Sequence, residues 1–398
     1  MLLWSGQAAS GLGTQVSLVA YPLLVLALTG SAAKAGVVGF AKGAPLVLFA
    51  LPAGILADRV NRKWLMIACD GVRTLALASI PVALVLGSVP YGLIVVVAFL
   101  DGAGFTVSYI TERGALRQLV TPEQLGDAVA RNESRIFGAM LGGPPLGGLL
   151  FGIGRAVPFL FDAISYAAST ATLLLIRSDF QEERSATEPA RIVEGVRWLW
   201  HRPFFRTCSL LFAGSNPIFT GIYLLVVVLA KRHGASAPLI GVMLGIAAGG
   251  GLLGALLAPS LRRRMTARSA LIGETWVMAL VLPLLLLAHN ALLIGLIVAA
   301  AELITPVTNS IVTSYRVALT PDRLQGRVQA ASTLISFSAG WAGPLVVGLL
   351  LQSAGSTATI LALAGWALAL ALGTTASRAF RHPPTVDALR TAAPATIS

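Results

Sequence analysis

The chain has 398 residues, of which 56% are hydrophobic and 12% charged, and its mean hydropathy is +0.80. A water-soluble domain carries about 25% charged residues, so this composition excludes a soluble fold and calls for a protein with many membrane spans. The formal charge of +12 would suggest nucleic acid in a soluble protein; here it must first be assigned to loops.

Apolar stretches of about 20 residues cross a bilayer as helices. The sequence predicts twelve, near 4–28, 35–56, 65–87, 91–111, 128–152, 158–177, 204–230, 238–259, 269–288, 291–315, 328–351 and 357–376. Met1-Leu2-Leu3-Trp4 lacks the basic region of a cleavable signal, and the first apolar stretch is too long for one, so a start further upstream is expected. With both termini inside, 24 of the 29 lysines and arginines fall in inside segments. Lys34, Arg155, Lys231 and Arg232 fall outside and Lys42 falls within a span. That bias supports the span count and the orientation, and removes the need for a nucleic-acid partner.

The longest polar stretch, 178–203, separates a six-span bundle over 1–177 from another over 204–376; a polar tail follows at 377–398. Within it, Ile192, Val193, Val196, Leu199 and Trp200 recur at helical spacing with Arg191, Glu194 and Arg197 between them. This predicts an amphipathic helix on the inner membrane surface.

The halves repeat. "GILADRVNRK" from Gly54 returns as "GALLAPSLRRR" from Gly254, "RQLVTPEQLGD" from Arg117 as "RVALTPDRLQGR" from Arg316, and Gly143-Pro144 as Gly343-Pro344, all at offsets of 199–200 residues. Two parallel six-helix halves around a central axis form a transporter architecture. The expected fold is therefore an all-α integral membrane protein, with twelve transmembrane helices in two pseudo-symmetric six-helix bundles.

With these segments in view, the chain resembles the major facilitator superfamily over nearly its whole length. Gly54-Ile55-Leu56-Ala57-Asp58-Arg59, followed by Arg62-Lys63, is similar to that family's loop signature between helices two and three, with Asn61 where a second glycine is usual. Gly143-Pro144-Pro145-Leu146-Gly147-Gly148 resembles the helix-five signature of proton-exchanging exporters, a motif that bends the helix and lets it pack closely. "SGLGTQVSLVAYPLLVLALTGS", "ACDGVRTLAL" and "EGVRWLWHRP" resemble the enterobactin-exporter-like branch, which contains bacterial siderophore and drug exporters. That branch often has an acid just after the helix-one glycine; here Gly13 is followed by Thr14 and Gln15.

The resemblance implies a latch at the inner face, carried here by Gly54, Asp58, Arg59, Arg62 and Lys63, with Asp70, Arg73, Arg113 and Arg117 joining the same gate. In the second repeat Ala258 stands opposite Asp58, so the latch is expected to be asymmetric. The alternative is a purely topogenic charge cluster. Asp101 and Glu302 lie about mid-span, where an ionised carboxylate costs several kcal/mol unless it meets a cavity or a partner. They are the leading proton or substrate candidates, against a purely structural pairing. Gln15, Tyr21, Asn216, Tyr223 and Asn309 are further cavity candidates, each also readable as interhelical packing. Lys42 is expected to snorkel or to pair locally. Asp162 is expected to cap a helix near the outer surface.

Cys69 and Cys208 lack metal-ligand spacing and read as packed thiols. No P-loop, H-E-x-x-H or G-x-S-x-G occurs, so no enzyme, metal or cofactor is expected. The expectation is a monomeric secondary transporter of the bacterial cytoplasmic membrane, with both termini cytoplasmic. It would export a small organic molecule (drug, siderophore or secondary metabolite) in exchange for protons by alternating access. The alternatives are an importer or uniporter on the same fold, and a non-transporting receptor or scaffold.

Overall fold

The computed structural model describes residues 2–119, 125–176 and 192–381, with side chains at all of these positions except 2–4, 51, 58, 113–119, 125–130, 192 and 381. The described chain is helical throughout. In order it forms α1 (Leu2–Thr29), α2 (Ala32–Leu48), α3 (Ala50–Arg59), α4 (Arg62–Val85), α5 (Tyr91–Leu119), α6 (Leu125–Ile153) and α7 (Val157–Leu175). A short α8 (Ile192–Trp200) precedes α9 (Pro203–Arg232), α10 (Ala237–Arg262), α11 (Ala267–Val281), α12 (Ala291–Glu302) and α13 (Thr305–Leu319). The remainder is α14 (Gln325–Phe337), α15 (Gly343–Ser353), α16 (Gly355–Ala376) and α17 (Arg378–Arg381).

Eleven of the described helical stretches are long and apolar enough to cross a membrane. The twelfth expected span is Ala32–Arg59, broken into α2 and α3 at Phe49. Pro52 has no N–H to return to Leu48 and its ring crowds that carbonyl, so the ladder fails one turn earlier. The same arithmetic places the other breaks. Pro306 leaves the Glu302 carbonyl unused between α12 and α13, and Pro344 frees that of Gly340, where a 3₁₀ turn spans Gly340–Ala342. At the start of α4 the side chain of Asn61 accepts from the amides of Lys63 (3.0 Å) and Trp64 (3.4 Å). This departure from the usual glycine thus gives the helix its cap. Gly30 ends α1 at φ +65°, a left-handed turn that favours glycine.

Within the first half, α1 packs on α6 and α7, α4 on α5 and α7, and α2 on α5; in the second, α10 packs on α12, α9 on α15 and α11 on α16. The halves meet along two seams, α6 with α10 and α2 with α15. These are near-copies of one another. A Cβ on Gly241 would lie 2.5 Å from the Pro144 carbonyl and 3.0 Å from the Gly148 Cα; one on Gly36 would collide with the Pro344 carbonyl and lie 3.1 Å from the Gly348 Cα. The Gly-Pro repeat therefore puts glycine backbone against glycine backbone between halves, the close approach that small residues permit. Phe40 and Trp341 stack edge to face beside the second seam, 4.6 Å between centroids. Both seams use the ends of helices next to the loops at 30–31, 154–156, 233–236 and 354. We call this the seam end, and the opposite end, carrying 60–61, 201–202 and 263–266, the basic end.

Helix α8 packs on α14 and α9 and leaves Val193 and Trp200 exposed. Trp198 and Leu199 are buried in a cluster with Phe204, Phe205 and Phe380, and Glu194 is ion-paired with Arg327. Gly195 lets α8 lie against the Arg327 backbone.

Candidate functional site

Asp101 on α5 is fully buried and gathers ligands from three other helices. Arg73 on α4 donates from Nε (2.9 Å) and Nη2 (2.7 Å) to Oδ1, Lys42 on α2 donates to Oδ2, and the Tyr21 hydroxyl on α1 donates to Oδ2 at 3.3 Å. The sequence around it makes room. In Asp101-Gly102-Ala103-Gly104, a Cβ on Gly102 would collide with the Lys42 carbonyl, and one on Gly104 would lie 2.6 Å from Arg73 Cδ. The Arg73 guanidinium sits 3.8 Å from the Tyr166 ring centroid, and Lys42 Nζ lies 5.0 Å from that of Tyr21. Lys42 thus takes the local pairing expected of it. Asp101 meets partners and does not line a cavity.

Arg73 forms part of the wall of a cavity of about 150 Å³ between α1, α4, α5, α6 and α7. Gln7, Thr14, Gln15, Tyr109 and Arg135 share that wall. Thr14 shares a 2.5 Å hydrogen bond with the Tyr166 hydroxyl, and Arg135 bonds Glu112 (2.8 Å) and the Gln7 carbonyl (2.7 Å). Asp70 accepts from Ser169 at 2.7 Å. The cavity therefore joins aromatic faces to a balanced set of buried charges, a surface suited to an amphipathic organic molecule.

Helix α4 begins at Arg62, so Arg73, expected at the inner gate, lies three turns inside the helix, where it holds Asp101. Asp70 goes with it, buried against Ser169. Asp162 is not a cap: α7 starts at Val157 with Pro158 in its first turn and Ala156 at the cap position. By residue 162 every amide has a helical partner, and Asp162 is fully buried against α1.

The rest of the expected gate is more dispersed. Gly54 has open space beside it, Arg62 donates from Nε to the Ala57 carbonyl (3.3 Å), and Lys63 donates to the Ile176 carbonyl at 2.5 Å. Arg59 is exposed. The side chains of Asp58, Arg113 and Arg117 lie outside the described residues. Helix α3 packs on α2, α4 and α5 of its own half.

On the helix-five motif, a Cβ on Gly143 would collide with Gln15, and one on Gly147 would lie 2.8 Å from the Val16 carbonyl, so α6 is seated on α1. Pro144 and Pro145 stay within a continuous helix, whereas Pro344 opens α15.

In the second half, Glu302 is partly buried at the end of α12 and makes no hydrogen bond or ion pair among the described residues. Glu274 on α11, which sequence reasoning passed over, is 6% exposed and lies beside Thr305 and Thr308. Asn216 turns out to serve the fold. Its Nδ2 donates to the Ser336 carbonyl (2.7 Å), and Thr220 bonds the Gly340 carbonyl, so α9 satisfies the backbone freed at the α14–α15 break. The Tyr223 hydroxyl is buried without a partner among the described residues, and Asn309 is exposed.

The described residues hold no group of histidine, cysteine and acidic side chains suited to a metal ion. A helical membrane protein of two repeated halves joined by a pseudo-symmetric pair of seams is a transporter of major facilitator type. Residues 1–395 match the transmembrane secretion effector (MFS_3) family, and the chain belongs to it. It is 28% identical over 388 residues to the multidrug efflux pump Tap of Mycolicibacterium fortuitum, with 91% of each chain covered. Among solved structures it resembles a bacterial homologue of the iron transporter ferroportin (TM-score 0.72, 16% identity, 94% of this chain and 97% of that one). It also resembles a bacterial homologue of the human lysosomal transporter Spinster (TM-score 0.69, 15% identity, 98% and 96%). At those identities the likeness speaks for the fold alone.

Proposed function

We propose that the protein exports small amphipathic organic molecules from a bacterial cell in exchange for protons, by rocking its two halves about the paired seams. The observation that carries this reading is the seam geometry. Two equivalent glycine–proline contacts join the halves at one end, while α3 at the other end packs within its own half. The lopsided distribution of lysine and arginine supports a cytoplasmic basic end, and on that reading this form is closed on the outside and loads from within. Likeness to named multidrug efflux pumps supports export and a broad organic substrate range. The carboxylates of the two halves, Asp101 buried in its cluster and Glu302 partly buried, supply sites where a proton can be exchanged without leaving a bare charge in the membrane.

The direct test is expression in an efflux-deficient bacterial host. Cells making the protein should accumulate less ethidium and other dyes of unrelated structure than cells making a Gly241→Leu variant, whose seam is blocked. Equal accumulation across a broad dye panel would reject export.

A further inference from the structure

We propose that Asp162 is the coupling carboxylate of the first half, the group that takes up and releases the exchanged proton during the cycle. This rests on the proton-exchange reading above and names its site. Asp162 is fully buried on α7, and its Oδ1 accepts a hydrogen bond from Ser165 at 3.3 Å. Its Oδ2 has no hydrogen-bond partner among the described residues. Ser17 on α1 approaches the same carboxyl, and its hydroxyl also donates to the Thr14 carbonyl at 3.3 Å. A buried carboxylate oxygen left without a donor is a costly arrangement, and a proton on Oδ2 removes that cost.

The fold makes a place for this group. Gly13 leaves a notch on α1 that the Asp162 and Ser165 side chains fill, since a Cβ there would collide with both. One helical turn along the same face of α7, Tyr166 and its bonded Thr14 form part of the cavity wall, so a hydroxyl pair separates the solute space from the acid.

The charged surroundings explain why the proton would matter. Lys42 from α2, Arg73 from α4 and Asp101 from α5 all act on Asp162, as do Tyr21 from α1 and Tyr166 on its own helix. Asp70 on α4 lies further along, tied to Ser169. Helix α6 carries its ionisable residues, Asp127, Arg131, Glu133 and Arg135, in the first half of its length, with Arg135 on the cavity wall and paired to Glu112. The central cluster thus holds two cations, Lys42 and Arg73, against the single anion Asp101. Ionised Asp162 makes it neutral; protonated Asp162 leaves one net positive charge. Arg73 lies on the cavity wall, so a cationic solute is tolerated when Asp162 is ionised and repelled when it is protonated. Exchange needs that mutual exclusion. The step itself is a simple transfer: a proton from water on the outer side bonds to Oδ2, and the same proton later passes to water on the inner side.

The experiment uses purified full-length protein in liposomes, with ethidium as the probe and a pH-sensitive dye reporting proton flux. In wild type, an imposed pH gradient should drive ethidium movement. Asp162→Asn should lose that gradient-driven component and its linked proton flux, while gradient-free ethidium exchange persists. Retained gradient dependence in Asp162→Asn overturns the assignment alone; absence of gradient dependence in wild type overturns the proton-exchange reading with it. Should Asp162→Asn fail to fold, carbodiimide labelling of wild type decides, because the reagent attacks protonated buried carboxyls. An adduct mapped to Asp162 that disappears at high pH supports the assignment, and no adduct on Asp162 at any pH overturns it.

Discussion

Replacing Asp101 by Asn removes the single anion to which both Lys42 and Arg73 are tied. Breaking one partner out of a buried ion pair costs about 3–5 kcal/mol, because a charge is left uncompensated in a low-dielectric interior. Here two cations are left. At about 1.4 kcal/mol per factor of ten, Asp101→Asn should shift the unfolding equilibrium by roughly two to three and a half powers of ten. That is a large part of the roughly 5–15 kcal/mol that holds a typical domain together. The mechanism makes a sharper demand on the double variant. Lys42→Met in the Asp101→Asn background removes one orphaned cation, so the double variant should be less destabilised than the two single costs predict, by about 0.5–3 kcal/mol. The assay is equilibrium unfolding in mixed micelles, followed by tryptophan fluorescence, across all four members of the cycle. Additivity within about 0.5 kcal/mol, or a single Asp101→Asn cost below about 1 kcal/mol, would refute the view that this cluster is a coupled ionic core.

Four further outcomes are expected. Gly36→Val and Gly241→Val should behave alike, because each places side chain against a proline carbonyl across its seam. Both should raise labelling, by an impermeant maleimide, of cysteines introduced at the seam end and depress ethidium efflux, and unchanged labelling would separate the seams from the motion. Glu194→Gln removes an ion pair whose partners are 36% and 25% exposed, so thermal unfolding should register less than about 1 kcal/mol; a larger loss would mean α8 is held by charge more than by Trp198. Asp58→Arg should slow turnover while leaving membrane insertion intact, and undiminished turnover would remove the latch. Asn216→Ala strips the donor from the Ser336 carbonyl at the α14–α15 break, for a cost of about 1–3 kcal/mol in the same unfolding assay; no measurable loss would return Asn216 to the cavity.

Much of the fold is legible because a bilayer turns span length and charge position into decisive signals. Twelve apolar stretches give the helix count, and the repeat at 199–200 residues places Gly143-Pro144 and Gly343-Pro344 at equivalent positions, which the structure uses as the two seams. The helix breaks are only half legible. Pro52, Pro306 and Pro344 interrupt their helices, whereas Pro22, Pro81, Pro144 and Pro217 do not. The difference lies in neighbours such as Asn216 and Thr220, which satisfy freed carbonyls from another helix. The charge cluster is the least legible part. Lys42, Arg73 and Asp101 sit on three helices at separations that no periodicity connects, so their meeting is a tertiary fact. Its trace in the sequence is indirect: Gly102 and Gly104 beside Asp101 for the approach of Lys42 and Arg73, and Gly13 for Asp162. Asp162 itself follows a turn closely enough to look like a cap, and only the start of α7 at Val157 shows that it lies too far in.

The central claim is proton-driven export, and inside-out vesicles from an efflux-deficient host test it most directly. On energisation, vesicles bearing the protein should take up ethidium and release lumenal protons in step with it, and nigericin, which collapses the pH gradient, should abolish the uptake. Uptake unaffected by nigericin, or none above that of vesicles lacking the protein, would contradict the account.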